Sequence, residues 1–183
     1  MENIKLSSFF ELTEGIQDVD LNGIARRTLN NCMTSCGISS GVFFIKDKIA
    51  RAKFYLYSHK GFRQIRGLDQ TQVYATITES DLSTFSQDIS LAEFIKKLYF
   101  SHRMFESLST EFQHYHLIRI ENIVAGFLLF GEKIDGSYTQ EDAKTIRAIC
   151  STSALSIKTQ FQMEELKDKY IEMDFLKEAS AKI

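Results

Sequence analysis

The sequence has no proline and no tryptophan in its 183 residues, and it has only three cysteines, an odd number. Without proline, glycine has to mark the breaks between elements. The expected breaks are Gly37, Gly61, Gly67, Gly131 and Gly136. An odd cysteine count without a pairing pattern argues against a disulfide framework and favours a reducing, cytoplasmic compartment. Cys32 and Cys36 share a helix face, and we expect two small buried apolar side chains there and not a redox or metal pair.

Long apolar runs and an excess of one charge are missing as well. No segment approaches the roughly 20 apolar residues that span a bilayer, and the N-terminus lacks the pattern of a signal peptide. The 22 basic and 24 acidic residues are mixed along the chain and give a net charge of −2. We therefore expect no contact of this chain with nucleic acid or membrane.

Candidate catalytic and metal-binding groups are few. The chain has no GxxxxGK[ST], HExxH or CxxC motif, so the common nucleotide-triphosphate and zinc signatures are missing. His114 and His116 are spaced as two metal ligands on one strand face, but no cysteine or carboxylate near them completes a set. We expect them on the exposed face of a strand, and we predict no metal site, no catalytic residue and no certain cofactor. The basic cluster His59, Lys60, Arg63 and Arg66 could hold a phosphate, but we favour a solvated loop there.

The first half of the chain predicts a helix followed by strands. Asp20 is a plausible N-cap, and Gly37 is a C-terminal stop. Between them, apolar positions recur at helical spacing: Leu21, Ile24, Ala25, Thr28, Leu29, Cys32 and Cys36. An earlier, shorter helix is predicted around Phe9, Phe10, Leu12 and Ile16. SGVFFIKDK and IARAKFYLYSHKG then predict a β-hairpin, and residues 72–78 predict a further strand.

The second half predicts an insert, a second hairpin and a long helix. Residues from Ser80 to about Thr110 indicate short helices and loops. HYHLIRI and NIVAGFLLFGEK are joined at Glu121-Asn122, a connection suited to antiparallel pairing. Thr139 is a strong N-cap, and no glycine interrupts residues 140–183, which predicts a helix of more than 40 residues. Together the strands predict a mainly antiparallel sheet.

The end of this helix has the spacing of a coiled-coil seam. Met163, Leu166, Tyr170 and Met173 are spaced three, four and three, in a segment interpreted as otherwise polar. Leu176, Ala179 and Ile183 continue with a shifted phase. A single apolar seam cannot be buried by its own helix, so we expect a parallel homodimer.

The order of elements and one motif resemble a GAF domain. The motif is the strand Gly126–Gly131, a loop with Gly136, Tyr138 and Thr139, the acidic pair Glu141-Asp142, and the amphipathic helix from Ile146 to Ile157. The resemblance implies an α+β fold, with a central antiparallel sheet of about five or six strands, flanking helices and a long C-terminal signalling helix. PAS domains are the nearest alternative. We expect a sensory domain over residues 1–160 and the start of a coiled-coil linker to a missing output domain over residues 161–183.

The same resemblance implies a regulatory domain that is not itself an enzyme. It is expected to bind a small cytosolic ligand, such as cAMP or cGMP, between the sheet and the insert, and to signal to a diguanylate cyclase, kinase or phosphatase. By position, the ligand-binding residues are Phe44, Thr76, Ser80, Asp81, Ser83, Thr84, Phe94, His102, Arg103 and Arg119. The pocket-shaping motif of cyclic-nucleotide-binding GAF domains is kept in part, as Lys133, Tyr138 and Asp142. A ligand-free dimerisation scaffold and a GAF-type methionine sulfoxide reductase are the alternatives.

Overall fold

A computed structural model describes residues 20–50, 52–84 and 89–180, without the side chains of Gln70, Ser83, Thr84 and Glu178. The predicted helix around Phe9 to Ile16 lies outside this described part, as does Ile183. Five helices and six strands follow one another in it: α1 (Leu21–Cys36), β1 (Gly41–Lys46), β2 (Lys53–Lys60), β3 (Tyr74–Thr76), α2 (Glu79–Thr84), α3 (Leu91–Lys96), β4 (Tyr99–Phe100), α4 (Met104–Leu108), β5 (His114–Ile120), β6 (Ile123–Phe130) and α5 (Gln140–Ser180). Short 3₁₀ turns cover Arg63–Ile65 and Gln70–Gln72.

Helix α1 begins and ends where the sequence predicts. The Asp20 carboxylate accepts a hydrogen bond of 2.6 Å from the Gly23 amide, which satisfies one of the unpaired donors of the first turn. Gly37 ends the helix with φ of 63°, a left-handed conformation that costs glycine little. The predicted apolar positions are all buried.

The strands form one antiparallel sheet in the order β4-β3-β2-β1-β6-β5. This confirms the predicted α+β class, both hairpins and the strand count. Strand β3 is shorter than the predicted residues 72–78, and the two-residue edge strand β4 was not predicted. Glu121 turns the second hairpin with φ of 58°, and Gly126 lets β6 approach β1, since a Cβ there would lie 2.6 Å from the Phe44 carbonyl oxygen.

Each face of the sheet carries its own core. On one face the insert, residues 79–108, covers a cluster that is rich in phenylalanine. On the other face α1 and α5 cover a cluster of mostly aliphatic side chains and the three cysteines. The faces alternate along the strands, and Phe54 and Leu56 of β2 are buried between the half-buried Lys53, Tyr55 and Tyr57, as predicted.

Helix α5 is one uninterrupted helix of 41 residues, which confirms the predicted length. Its first half presents Ile146, Cys150 and Ile157 to the core, and Phe161 still packs against the same cluster. Glu164 still forms an ion pair with Lys48 in the β1–β2 turn, and residues 165–177 are exposed. The interpretation of this end as polar outside the seam is wrong, because Ile171 and Phe175 also expose 59% and 71% of their surface. No helix in the described part of the chain combines the length and apolar composition that crossing a membrane requires.

Candidate functional site

The two aromatic residues predicted to contact a ligand, Phe44 and Phe94, lie inside the core between the sheet and the insert. Both have no exposed surface. Phe44 stacks on Phe127 at 5.0 Å between ring centroids and meets Phe105 edge-on at 5.6 Å. Phe94 stacks on Tyr115 at 4.5 Å. Neighbouring aromatic rings therefore occupy the space beside both side chains.

The predicted polar ligand residues of the insert bind one another. Asp81 forms an ion pair with Lys97 and accepts a hydrogen bond of 2.5 Å from the Thr78 hydroxyl, and both contacts lower the pKa of Asp81. Ser80 lies 3.1 Å from the same hydroxyl. These contacts hold the start of α2, as helix-capping groups do. The Ser83 and Thr84 side chains are outside the described part.

The remaining predicted ligand residues lie on β3, on β5 and between β4 and α4. The Thr76 hydroxyl donates to the Tyr99 carbonyl oxygen at 3.4 Å, so it joins β3 to β4. His102 accepts a hydrogen bond from the Met104 amide at 3.3 Å, and Arg103 is exposed. Arg119 lies on β5, opposite Val124. Their role in binding stays a prediction.

The pocket-shaping motif forms a compact set of contacts, which we call the α5 latch: Lys133, Tyr138, Thr139 and Asp142. Lys133 Nζ lies 2.7 Å from Asp142 Oδ2, and these side chains are only 12% and 13% exposed. The same oxygen accepts hydrogen bonds from the Thr139 amide at 2.8 Å and the Thr139 hydroxyl at 2.9 Å. The Lys133 contact, followed by the Thr139 contacts, lowers the pKa of Asp142 to about 2. The latch fixes the first turn of α5.

Tyr138 extends the latch toward the sheet. Its hydroxyl donates to the Gly131 carbonyl oxygen at 2.7 Å, and its ring stacks on His114 at 4.8 Å. On the other side the Cys36 thiol lies 3.9 Å from the Asp142 carbonyl oxygen. The latch therefore ties the C-terminal end of β6, the edge strand β5 and the end of α1 to the start of α5.

Comparison with known proteins rests on the fold, because neither a family model nor a curated relative matches the sequence. Among solved structures, the GAF domain of a phosphoenolpyruvate-protein phosphotransferase from Acinetobacter aligns over 88% of this chain and 97% of its own, with a TM-score of 0.56 and 11% identity. The chain has the GAF fold. Residues 122 to 287 of a methyl-accepting chemotaxis protein also align, over 82% of this chain and 96% of their own, with a TM-score of 0.50 and 13% identity.

Within this GAF fold the two strand histidines lie under α5, so the prediction of an exposed strand face is wrong. Burial lowers the pKa of His114, while the Asp142 charge acts in the opposite direction. Burial, with His114 and Arg147 nearby, lowers the pKa of His116 to about 4. The sequence could not show this, because both faces of this edge strand are covered in part. Among the described residues, no cluster of three or more metal-ligating side chains is present.

The cysteines of the GAF fold are buried, as predicted for Cys32 and Cys36. A hydrogen bond to Cys32, with burial, raises the pKa of Cys150. Burial and the Asp142 charge raise the pKa of Cys36 to about 11. Because the thiolate is the reactive form, Cys36 and Cys150 favour inert thiols, and Cys32 has no exposed surface that a reagent could reach.

The prediction of no catalytic residue rested in part on the absence of a GxSxG motif, and that motif is in fact present once. Residues 37–41 read GISSG and match the GxSxG pattern of serine hydrolases. In those enzymes the serine follows a strand and precedes a helix, whereas here α1 precedes the motif and β1 follows it. The Ser39 hydroxyl donates to the Glu132 carbonyl oxygen at 2.6 Å. The motif therefore connects a helix to a strand and is not a nucleophile elbow.

Proposed function

We propose that this GAF domain is a regulatory module of a signalling protein. Two copies pair through the end of α5 and pass a signal along that helix to an output domain such as a diguanylate cyclase, kinase or phosphatase. The observation that carries the proposal is the contrast within α5, which begins as part of the core and ends as an exposed helix with an apolar seam.

The seam side chains are costly to leave in water. Leu166, Tyr170 and Met173 expose 61%, 44% and 55% of their surface. Burying a side chain of this size fully stabilises a complex by about 1.5–3 kcal/mol. A second α5 offers the matching surface, since coiled coils repeat apolar positions at spacings of three and four.

Matched aspartate substitutions test the pairing. We expect sedimentation velocity to show a dimer for the native chain and a monomer for Leu166→Asp, because the carboxylate would be buried in the seam. Ile171→Asp is the control, since Ile171 is equally exposed at 59% but lies off the seam. It should remain a dimer. A native chain that stays monomeric at high micromolar concentration would refute the proposal.

The input of this module is proposed to be a small cytosolic ligand such as cAMP or cGMP. The partly kept motif around Lys133 and Asp142 supports a nucleotide, whereas the packed rings around Phe44 and Phe94 favour the ligand-free scaffold. The buried thiols give no support to a methionine sulfoxide reductase.

Thermal unfolding with cAMP, cGMP and non-cyclic nucleotides separates the first two alternatives. A ligand at 100 times its dissociation constant adds about 2.7 kcal/mol to stability when only the folded state binds it. A rise with one cyclic nucleotide alone supports the sensor, and no rise with either supports the scaffold.

A further inference from the structure

The contact between α1 and α5 inside each chain is built from small side chains. Ala25, Thr28 and Cys32 form one stripe of α1 at spacings of three and four, and Cys150 and Ser153 face them from α5. All five residues are buried. Helices that meet through such side chains pack at the short end of the usual range of about 8–10 Å between their axes.

Two contacts fix how these helices are aligned. The hydroxyl oxygens of Thr28 and Ser153 lie 2.6 Å apart, and the Cys36 thiol lies 3.9 Å from the Asp142 carbonyl oxygen. The higher residue number on α1 therefore meets the lower one on α5, so the two helices run antiparallel.

Cys32 and Cys150 lie at the same level of this antiparallel pair. Cys32 follows Thr28 by about 6 Å along its helix axis, and Cys150 precedes Ser153 by about 4.5 Å along the other axis, in the same direction. The two thiols form a hydrogen bond, and the residues are 0% and 1% exposed. Because Cα atoms lie about 2.3 Å from a helix axis, facing residues of closely packed helices come within the roughly 4.4–6.8 Å between Cα atoms that a disulfide spans.

We propose that Cys32 and Cys150 are a redox-sensing pair, which an oxidant of the hydroperoxide class converts into a disulfide that fastens α5 to α1. This second input to the module depends neither on the pairing of α5 nor on a ligand. Where disulfides form in a reducing compartment, they are usually transient and catalytic or redox-sensing. An S–S bond also suits the mostly aliphatic cluster around the pair, because it has no donor that needs a hydrogen-bond partner.

The reaction needs one peroxide for each pair of thiols. When α1 and α5 separate briefly, one thiolate attacks a peroxide oxygen and the O–O bond breaks, which gives a sulfenic acid and, with hydrogen peroxide as the oxidant, a molecule of water. The second thiol then attacks the sulfenic sulfur, so that the S–S bond forms and a second water leaves. The two thiols lose two electrons and two protons, and these reduce the peroxide.

Cys36 provides a matched control in the same core. It lies four residues after Cys32 on α1 and is also buried, but its thiol contacts the Asp142 carbonyl oxygen. The proposed disulfide therefore leaves Cys36 as a free thiol, and a variant without Cys36 should still form the bond.

Counting thiols before and after treatment with hydrogen peroxide tests the pair. The folded chain is oxidised, denatured without reductant and alkylated with iodoacetamide, and mass spectrometry counts the attached groups. We expect the count to fall from three to one in the native chain and from two to none in Cys36→Ala. Cys32→Ala and Cys150→Ala should each keep two. Dithiothreitol should restore the lost thiols, and the peptide that joins residues 32 and 150 identifies the bond.

Thermal unfolding gives a second measurement of the same bond. A disulfide stabilises a protein more when it closes a longer loop, and residues 32 and 150 are far apart in the chain. Oxidation should raise the unfolding midpoint of the native chain by on the order of 10 °C and leave those of Cys32→Ala and Cys150→Ala unchanged. Circular dichroism confirms that the variants are folded. If one of them is not, the other carries the comparison, since each removes the same bond.

Three results would overturn the redox pair. The first is a native chain that keeps all three thiols after peroxide treatment. The second is a disulfide between Cys32 and Cys36, and the third is a disulfide between two copies, seen as a reducible dimer on a gel. None of these results bears on sedimentation of the reduced chain, so the proposed pairing of α5 stands or falls separately. A reduced chain that is monomeric but forms the disulfide would refute the pairing and leave the redox pair intact.

Discussion

The two faces of the sheet are stabilised by different kinds of side chain. Among the described residues, seven phenylalanines belong to the buried cluster under the insert, and two, Phe43 and Phe130, belong to the buried cluster under α1 and α5. The insert helices are six residues or shorter, too short to be stable without tertiary contacts. Large aromatic side chains supply those contacts on one face, whereas long helices with smaller side chains cover the other.

The two faces also differ in how much freedom they leave for rearrangement. On the insert face, interlocked rings such as Phe44, Phe105 and Phe127 leave little freedom for rearrangement, since close-packed cores resist small displacements. On the helix face, the α5 latch and a line of smaller side chains connect the sheet to a helix that continues outward. A change in the position of α5 would therefore begin on the helix face.

The largest effect is expected from truncating neighbouring residues of β6 that point to opposite faces. Phe127 and Leu128 both have no exposed surface. Phe127→Ala should lower the free energy of unfolding by about 3–5 kcal/mol and Leu128→Ala by about 2–5 kcal/mol, with the larger loss at Phe127. Urea unfolding measures both. Ile123→Ala, at a 57% exposed position of the same strand, is the control and should change little. An equal or larger loss at Leu128 would contradict the aromatic face as the more strongly held one.

An intermediate effect is expected from His116, the more strongly shifted of the two histidines under α5. The pKa of His116 is lowered to about 4 in the folded chain, whereas in the unfolded chain it is about 6.5. As the pH falls below about 6.5, His116 is therefore protonated in the unfolded chain before it is protonated in the folded one. The free energy of unfolding should therefore fall between about pH 6.5 and 4. The native chain should lose on the order of 2 kcal/mol more than His116→Gln over this range. The groups that act on His116 are His114 and Arg147, both of which oppose protonation. Urea unfolding at pH 7, 6 and 5 measures the difference, and parallel profiles for the two proteins would contradict it.

The smallest effect is expected from the α5 latch. Because the pKa of Asp142 is lowered to about 2 in the fold, its contribution is present above about pH 4 and is lost as the pH falls toward 2. Asp142→Asn should lower the free energy of unfolding by about 1 kcal/mol near neutral pH, and it should flatten the pH dependence of that free energy below about pH 4. Asp81→Asn on the insert face is the matched variant and should have a smaller effect, since Asp81 is more exposed. A larger effect of Asp81→Asn would place the stronger polar contact on the insert face.

Much of the fold could be predicted because local signals agreed with one another. Asp20, Gly37 and Thr139 mark helix ends through their own side-chain or backbone chemistry, and β2 alternates because only one of its faces is fully covered. Strand β4 has only two residues, too few for any periodicity, and its pairing with Ala75 and Thr76 is a tertiary contact. No pattern in the sequence reports such a contact.

The candidate site was less predictable for a different reason. In the sequence, Phe44 and Phe94 look the same whether their side chains line a cavity or fill it. Only the positions of the neighbouring side chains distinguish a lined cavity from a filled one. The latch was predicted in outline through the resemblance, while its link to His114 depends on the pairing of β5 with β6.

Two of the three cysteines give this molecule an internal reporter of its own opening. Cys32 and Cys150 are in contact between α1 and α5, and neither is more than 1% exposed. A thiol reagent can reach them only when the two helices separate, so the rate of labelling measures how often that separation happens. The native thiols of Cys32 and Cys150 therefore report on the opening between α1 and α5 without any added probe.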